Sequence, residues 1–105
     1  RDKYAADPLC TYKFTLSAYG DLVNMNIECN TEEWFTSVAK KQPILLVAGN
    51  EDPVGDYGKG MQTVYDKLIS ADADAKLKLY ENCRHEILNE DCRKEVIEEI
   101  VNFIK

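Results

Sequence analysis

The sequence predicts an α/β fold with parallel strands, on three observations. An unbroken apolar run, Ile44 to Ala48, is opened by Pro43 and closed by the turn Gly49-Asn50-Glu51-Asp52-Pro53; such a run suits a strand covered on both faces, as central parallel strands are. Met61, Val64, Tyr65, Leu68 and Ile69 then recur at i, i+3, i+4, i+7 and i+8, the stripe of an amphipathic helix. Lys76 to Tyr80 alternates polar and apolar with Leu77 and Leu79 on one face, which suits a strand near a sheet edge. Strand, helix and strand in that order make a βαβ crossover, expected to be right-handed with its two strands parallel.

The remaining elements follow in chain order. Arg1 to Thr15 reads as loop, with the turn dipeptide Asp7-Pro8 and the aromatics Tyr4, Tyr12 and Phe14. From Leu16, the apolar residues Leu16, Tyr19, Leu22, Val23 and Met25 fall roughly at helical spacing, interrupted by Gly20. Two readings of this helix stand side by side: it packs on a core, or it forms an apolar lid over a lipid-like substrate. Asn30-Thr31-Glu32-Glu33 predicts a second helix start, with Asn30 as cap and Glu33 placed as in a capping box. Trp34, Phe35 and Val38 give that helix a short buried stripe, and Lys40-Lys41 in its last turn complement the dipole. Pro43 ends it. The last helix is expected from about Cys92 to Ile104, with a wide apolar face from Val96, Ile97, Ile100, Val101 and Ile104.

Bulk properties narrow the function classes. The 105 residues suffice for one small domain. A formal net charge of -6 argues against a nucleic-acid partner, because phosphate binding needs clustered Lys and Arg. No apolar run approaches the ~18 residues of a membrane span. The four cysteines, Cys10, Cys29, Cys83 and Cys92, form no C-x-x-C, and a single histidine cannot complete a zinc-finger spacing. No metal or other cofactor is expected. Reduced thiols are expected too, a disulfide being reserved for an oxidising compartment.

Two residues could carry chemistry. Asp52 follows the first strand and His85 the second, so both stand beyond the carboxyl ends of one parallel pair, where open α/β sheets bind ligands. Adjacent strands lie ~4.8 Å apart, close enough for the two loops to meet. A carboxylate on one imidazole nitrogen fixes the tautomer and leaves the other nitrogen as a general base. The plainer alternative is a surface histidine between Arg84 and Glu86. A nucleophile is harder to find: Ser17, Ser37 and Ser70 all lie outside any G-x-S-x-G elbow. Cys83 is the one internal candidate for a Cys-His arrangement, with no oxyanion-hole element beside it. Gly55, Gly58 and Gly60 mark a loop of unusual backbone angles or close approach, but no phosphate-binding glycine pattern is present.

Two separated segments, Pro43 to Gly60 and Leu77 to Glu90, resemble the C-terminal third of α/β-hydrolases. The similarity is to the monoacylglycerol lipase and lysophospholipase-like branch, which is grouped with serine aminopeptidase-like hydrolases. Asp7 to Phe14 and the helix after it resemble that branch's lid region. The resemblance implies that residues 1–41 are a lid or cap-region helical segment and 42–105 a βαβα part of the hydrolase core. It implies that Asp52 is the triad acid and His85 the general base of a serine hydrolase cleaving carboxylic esters. The nucleophile elbow, oxyanion loop and early strands are not in this sequence, so it reads as a C-terminal fragment that is inactive alone. A non-catalytic binding or oligomerisation module on the same scaffold is the alternative, and peptide, epoxide or carbon–halogen cleavage a further one. An ester or lipid-like substrate is expected for the complete protein. A homo-oligomer covering the incomplete sheet and a cytoplasmic location complete the expectations.

Overall fold

The computed structural model describes residues 5–38 and 42–105. The chain divides into two compact units, Arg1–Trp34 and Phe35–Lys105. The Lys40-Lys41 pair expected to end the second helix lies outside the described residues.

In the first unit, the Asp7-Pro8 turn is a single 3-10 turn, Pro8–Cys10, with the Asp7 carboxylate accepting from the Leu9 N–H at 2.9 Å. The first helix, α1 (Leu16–Glu28), begins where Thr15 Oγ1 accepts the Ala18 N–H at 3.1 Å. Helix formation runs through Gly20, whose neighbourhood is open. The expectation of a core-packed helix is not met, since no residue of α1 is buried and Leu16 is 92% exposed. A segment this short has too little chain to enclose a core of its own. Its local order comes instead from caps and from the edge-to-face contact of Tyr12 with Phe14 and the tilted contact of Phe14 with Tyr19, at centroid distances of 5.7 and 5.5 Å.

The second helix, α2 (Glu32–Val38), starts one residue later than Asn30 would place it. Thr31 Oγ1 takes the Trp34 N–H at 3.2 Å, while the Asn30 amide donates back to Asn26 O at 2.7 Å. A β-hydroxyl and a side-chain amide compete for the cap, and the hydroxyl holds it. Glu32 and Glu33 both lie in the first turn, where negative charge is favoured. Phe35 is buried, Trp34 and Val38 half-buried, and Lys67 Nζ stands 5.1 Å from the centre of the Phe35 ring.

The second unit is built on two parallel strands, β1 (Ile44–Gly49) and β2 (Ala75–Tyr80), paired from Ile44 with Ala75 to Gly49 with Tyr80. Helix α3 (Lys59–Ser70) joins them, as the βαβ reading required, and α4 (Arg93–Ile104) closes the chain. Strand alternation directs the packing. Val47 and Tyr80 share the face that packs against Val96 and Ile100 of α4, together with Cys83, Ile87 and Cys92. Leu79 points the other way, to the start of α3, where a Cβ on Gly58 would lie 3.0 Å from Leu79 Cδ1. Helices therefore cover both faces, but cover is incomplete: Ile44 to Ala48 are half-buried rather than buried. Among the described residues, β1 has a neighbouring strand on one side only.

The helical stripes are likewise covered in part. In α3, Leu68 is fully buried and Met61, Val64 and Tyr65 half-buried, whereas Ile69 is exposed. In α4, Val96 is buried while Ile97, Val101 and Ile104 face outward. The apolar arc of each helix is wider than the two-stranded sheet can cover.

Candidate active site

Both loops of interest leave the carboxyl ends of the paired strands, and the backbone sews them together. Asn50 N donates to Tyr80 O at 3.0 Å, Glu51 N to Cys83 O at 2.9 Å, and Asn82 N to Asn50 Oδ1 at 3.0 Å. Gly49 makes this possible. A Cβ there would fall directly on the carbonyls of Cys83 and Arg84, so only glycine lets the second loop cross over the end of β1. The sequence shows Gly49 as part of a turn; its role as a crossing point is visible only in the assembled loops.

The β1–α3 loop then turns back on itself. Tyr57 N bonds Asp52 O at 2.9 Å, and Gly60 N bonds Gly55 O at 3.0 Å. Of the three glycines expected to supply unusual angles, only Gly58 has positive φ, at 85°. The other left-handed residues in the loop are Asp56 and Tyr57. Gly60 serves close approach instead, since a Cβ there would meet Gly55 O at 3.0 Å.

Asp52 is 6% exposed. Its Oδ1 accepts the Val54 N–H at 2.9 Å, and its Oδ2 lies 2.9 Å from His85 Nδ1. The two residues are 33 apart in sequence and meet through the paired loops. An ionised carboxylate only accepts, so Nδ1 carries the proton and Nε2 keeps its lone pair in the neutral ring. Burial alone would raise the Asp52 carboxyl. The His85 hydrogen bond, the N–H groups of Val54 and Gly55, and the charge of His85 outweigh it and hold the carboxyl below its ordinary value. His85 is held above its ordinary value, first by the hydrogen bond to Asp52 and then by that residue's charge, against the opposing effect of burial, with Glu86 adding least. The His85 side chain is 64% exposed. The site thus presents an oriented imidazole on a buried, ionised carboxylate, an arrangement able to take and return one proton at Nε2.

The other candidate residues separate from this pair. Ser70 lies in the last turn of α3, about 18 Å along the helix from the Asp52 loop, and its hydroxyl is spent on Asp66 O at 2.8 Å. Cys83 is buried and bridged to Cys92. This corrects two expectations: these cysteines are not thiols, and Cys83 is no thiolate partner for His85. Cys29 remains an exposed thiol. Among the described residues, no three His, Cys, Asp or Glu side chains stand together as a metal site, and no helix is long and apolar enough to cross a membrane.

Comparison with known proteins gives this geometry a family. Residues 1–92 match the family described as serine aminopeptidase, S33. An uncharacterised abhydrolase domain-containing protein of Dictyostelium discoideum is 40% identical over 63 residues, which is 60% of this chain and 6% of that protein. A highly thermostable carboxyl esterase from Bacillus coagulans, solved in complex with glycerol, superimposes with a TM-score of 0.88 at 36% identity. That match covers 95% of this chain and 33% of the esterase, so the chain spans about one third of the solved relative's length. On the breadth of the family match, the two parallel strands with their helices and this structural likeness, the chain belongs to the serine aminopeptidase S33 family of α/β-hydrolases.

Proposed function

We propose that Asp52 and His85 are the acid and the base of a serine-hydrolase triad that cleaves carboxylic esters of the lysophospholipase or monoacylglycerol type. In this reading His85 Nε2 takes the proton of an attacking serine and returns it to the leaving alcohol. Asp52 holds the imidazole in the required tautomer and stabilises the imidazolium. The observation that carries the proposal is the 2.9 Å bond from the buried carboxylate to His85 Nδ1, which leaves the exposed ring open to a substrate side. The serine and its oxyanion donors are to be supplied from outside these 105 residues, and the chain alone is inert. A lid role for residues 1–41 over a lipid-like substrate fits the exposed apolar side chains of α1. A fluorophosphonate probe is expected to leave Ser17, Ser37 and Ser70 unlabelled in this chain. Ester hydrolysis that appears on adding a nucleophile-bearing segment, and vanishes with Asp52→Asn or His85→Ala, is the positive test.

A non-catalytic oligomerisation module is the second reading, favoured by the open side of β1 and the outward Ile97, Val101 and Ile104 of α4. A homo-oligomer of this chain is proposed with the first reading too, since its sheet is incomplete, and a monomer in sedimentation at high micromolar concentration would count against it. A cytoplasmic setting is proposed with the first reading. There a disulfide is more often transient than structural.

A further inference from the structure

The bridge between Cys83 and Cys92 encloses His85. Cys83 stands three residues after the end of β2, Cys92 directly precedes α4, and between them lie Arg84, His85 and the 3-10 turn Ile87–Asn89. Three further ties hold this ring: Glu51 N–H to Cys83 O, Arg84 N–H to Glu90 Oε1 at 2.9 Å, and the Asn89 amide to Glu86 Oε2 at 2.8 Å. Two of the three are within the ring itself, so the bridge, the Cys83 carbonyl and the Asp52–His85 bond together fix its position over β1. Cys83 also sits in the core with Tyr80 and Val96. Yet the bridge is not sealed. Both cysteines line an open cleft of about 340 Å³, and Cys92 is half-buried where Cys83 is buried. The same cleft carries Glu81, Asp91 and Glu95 and no cationic side chain.

We propose that Cys83–Cys92 is a reversible thiol–disulfide site that sets the position of the His85 loop, with a 1,4-dithiol as its reductant. This rests on the triad reading for its consequence, the control of catalysis, but not for its chemistry. A thiolate of the dithiol attacks Sγ of Cys92, the less buried of the two cysteines; the S–S bond breaks and Cys83 leaves as thiolate and takes a proton. The dithiol's second thiol then displaces Cys92 from the mixed disulfide. Two electrons and two protons pass to the protein, and the reductant leaves as its cyclic disulfide. The acidic lining disfavours an anionic monothiol such as glutathione, which must bring negative charge into the cleft.

His85 is the only histidine, so its imidazole proton resonances report the loop without ambiguity. The carboxylates that face it are Asp52 across the loops and Glu86 on its own. The experiment is an NMR titration of His85 in the full chain, oxidised and after treatment with dithiothreitol, with the bridge verified by mass spectrometry under alkylation. A Cys83→Ser/Cys92→Ser chain serves as permanently open form and Cys10→Ser/Cys29→Ser as control. The oxidised chain and the control should titrate above 6.5, and the reduced and open chains should move down toward 6.5 while keeping their helical circular dichroism. Equal titration in oxidised and reduced chains overturns the proposal. So does the absence of a bridge in the air-oxidised protein, or global unfolding on reduction, which would make the bridge a plain structural link. Reduction by glutathione as fast as by dithiothreitol overturns the choice of reductant. None of these outcomes touches the triad reading, which fails separately if ester hydrolysis ignores Asp52→Asn.

Discussion

Gly49→Ala is the sharpest perturbation of the site that leaves every polar group in place. The added Cβ meets the carbonyl group of Cys83 and the carbonyl oxygen of Arg84, both main-chain atoms that cannot rotate aside. Reaching ordinary contact requires the second loop to withdraw by on the order of 1 Å. That movement carries the 2.9 Å Asp52–His85 contact past hydrogen-bonding distance and opens the bond from Glu51 N to Cys83 O. Overpacking of this kind costs about 1–3 kcal/mol, and a lost backbone hydrogen bond about 1 kcal/mol more. The sum, roughly 2–4 kcal/mol, lowers the melting temperature by on the order of 10 °C in a domain of this size. Gly20→Ala is the matched comparison. It adds the same methyl within α1, where nothing lies within 4 Å, and should stabilise the helix by about 0.5–1 kcal/mol. Urea unfolding of both variants, with the His85 imidazole followed by NMR, checks the pair. A Gly49→Ala chain within about 0.5 kcal/mol of the parent, its imidazole resonances unmoved, would refute the crossing role of Gly49.

The other expected outcomes concern ionisation and one buried hydroxyl. Asp52 is held below 3.8, so its contribution to stability is present above that pH and is lost as pH falls through its lower folded value. His85 is held above 6.5, so its contribution is present below that pH and is lost as pH rises through its higher folded value. Stability from the pair is therefore complete between 3.8 and 6.5, and Asp52→Asn should flatten both arms of the pH–stability profile measured by urea titration. Tyr80 Oη is buried with no hydrogen-bond partner among the described residues, and the burial itself, with Glu99 and Glu95, raises its pKa above the ordinary value. Tyr80→Phe should be neutral or stabilising by about 1 kcal/mol in the same unfolding measurement, because it removes an unpaired group without opening a cavity.

The core of the fold could be read from periodicity because its elements are locally consistent. The stripe from Met61 to Leu68, the alternation of Lys76 to Tyr80 and the Pro43-bounded run each fit one geometry, and the parallel pairing follows from the connection between them. Reading failed where a choice depended on neighbours. Thr31 and Asn30 are both good caps, and only the Asn26 carbonyl available to the Asn30 amide decides between them. Core or lid could not be chosen for α1 from its sequence, because apolar spacing states what a face prefers and not whether anything covers it. The site was legible in its poles. A strand-ending Asp and a strand-ending His on one βαβ unit meet as the topology requires. What the sequence hid is the non-local material between them: the Gly49 crossing, the Asn50–Asn82 tie and the Cys83–Cys92 bridge, none of which leaves a periodic or compositional trace.

In the proposed triad Asp52 and His85 act together as acid and base. Hydrolysis of a 4-nitrophenyl ester tests it most directly, in a protein that joins this chain behind the part of the Bacillus coagulans esterase it does not match. The joined protein should hydrolyse the ester and lose about 10⁴-fold in kcat on Asp52→Asn, the cost of an imidazole in the wrong tautomer. Turnover that survives Asp52→Asn or His85→Ala undiminished would contradict the proposed triad.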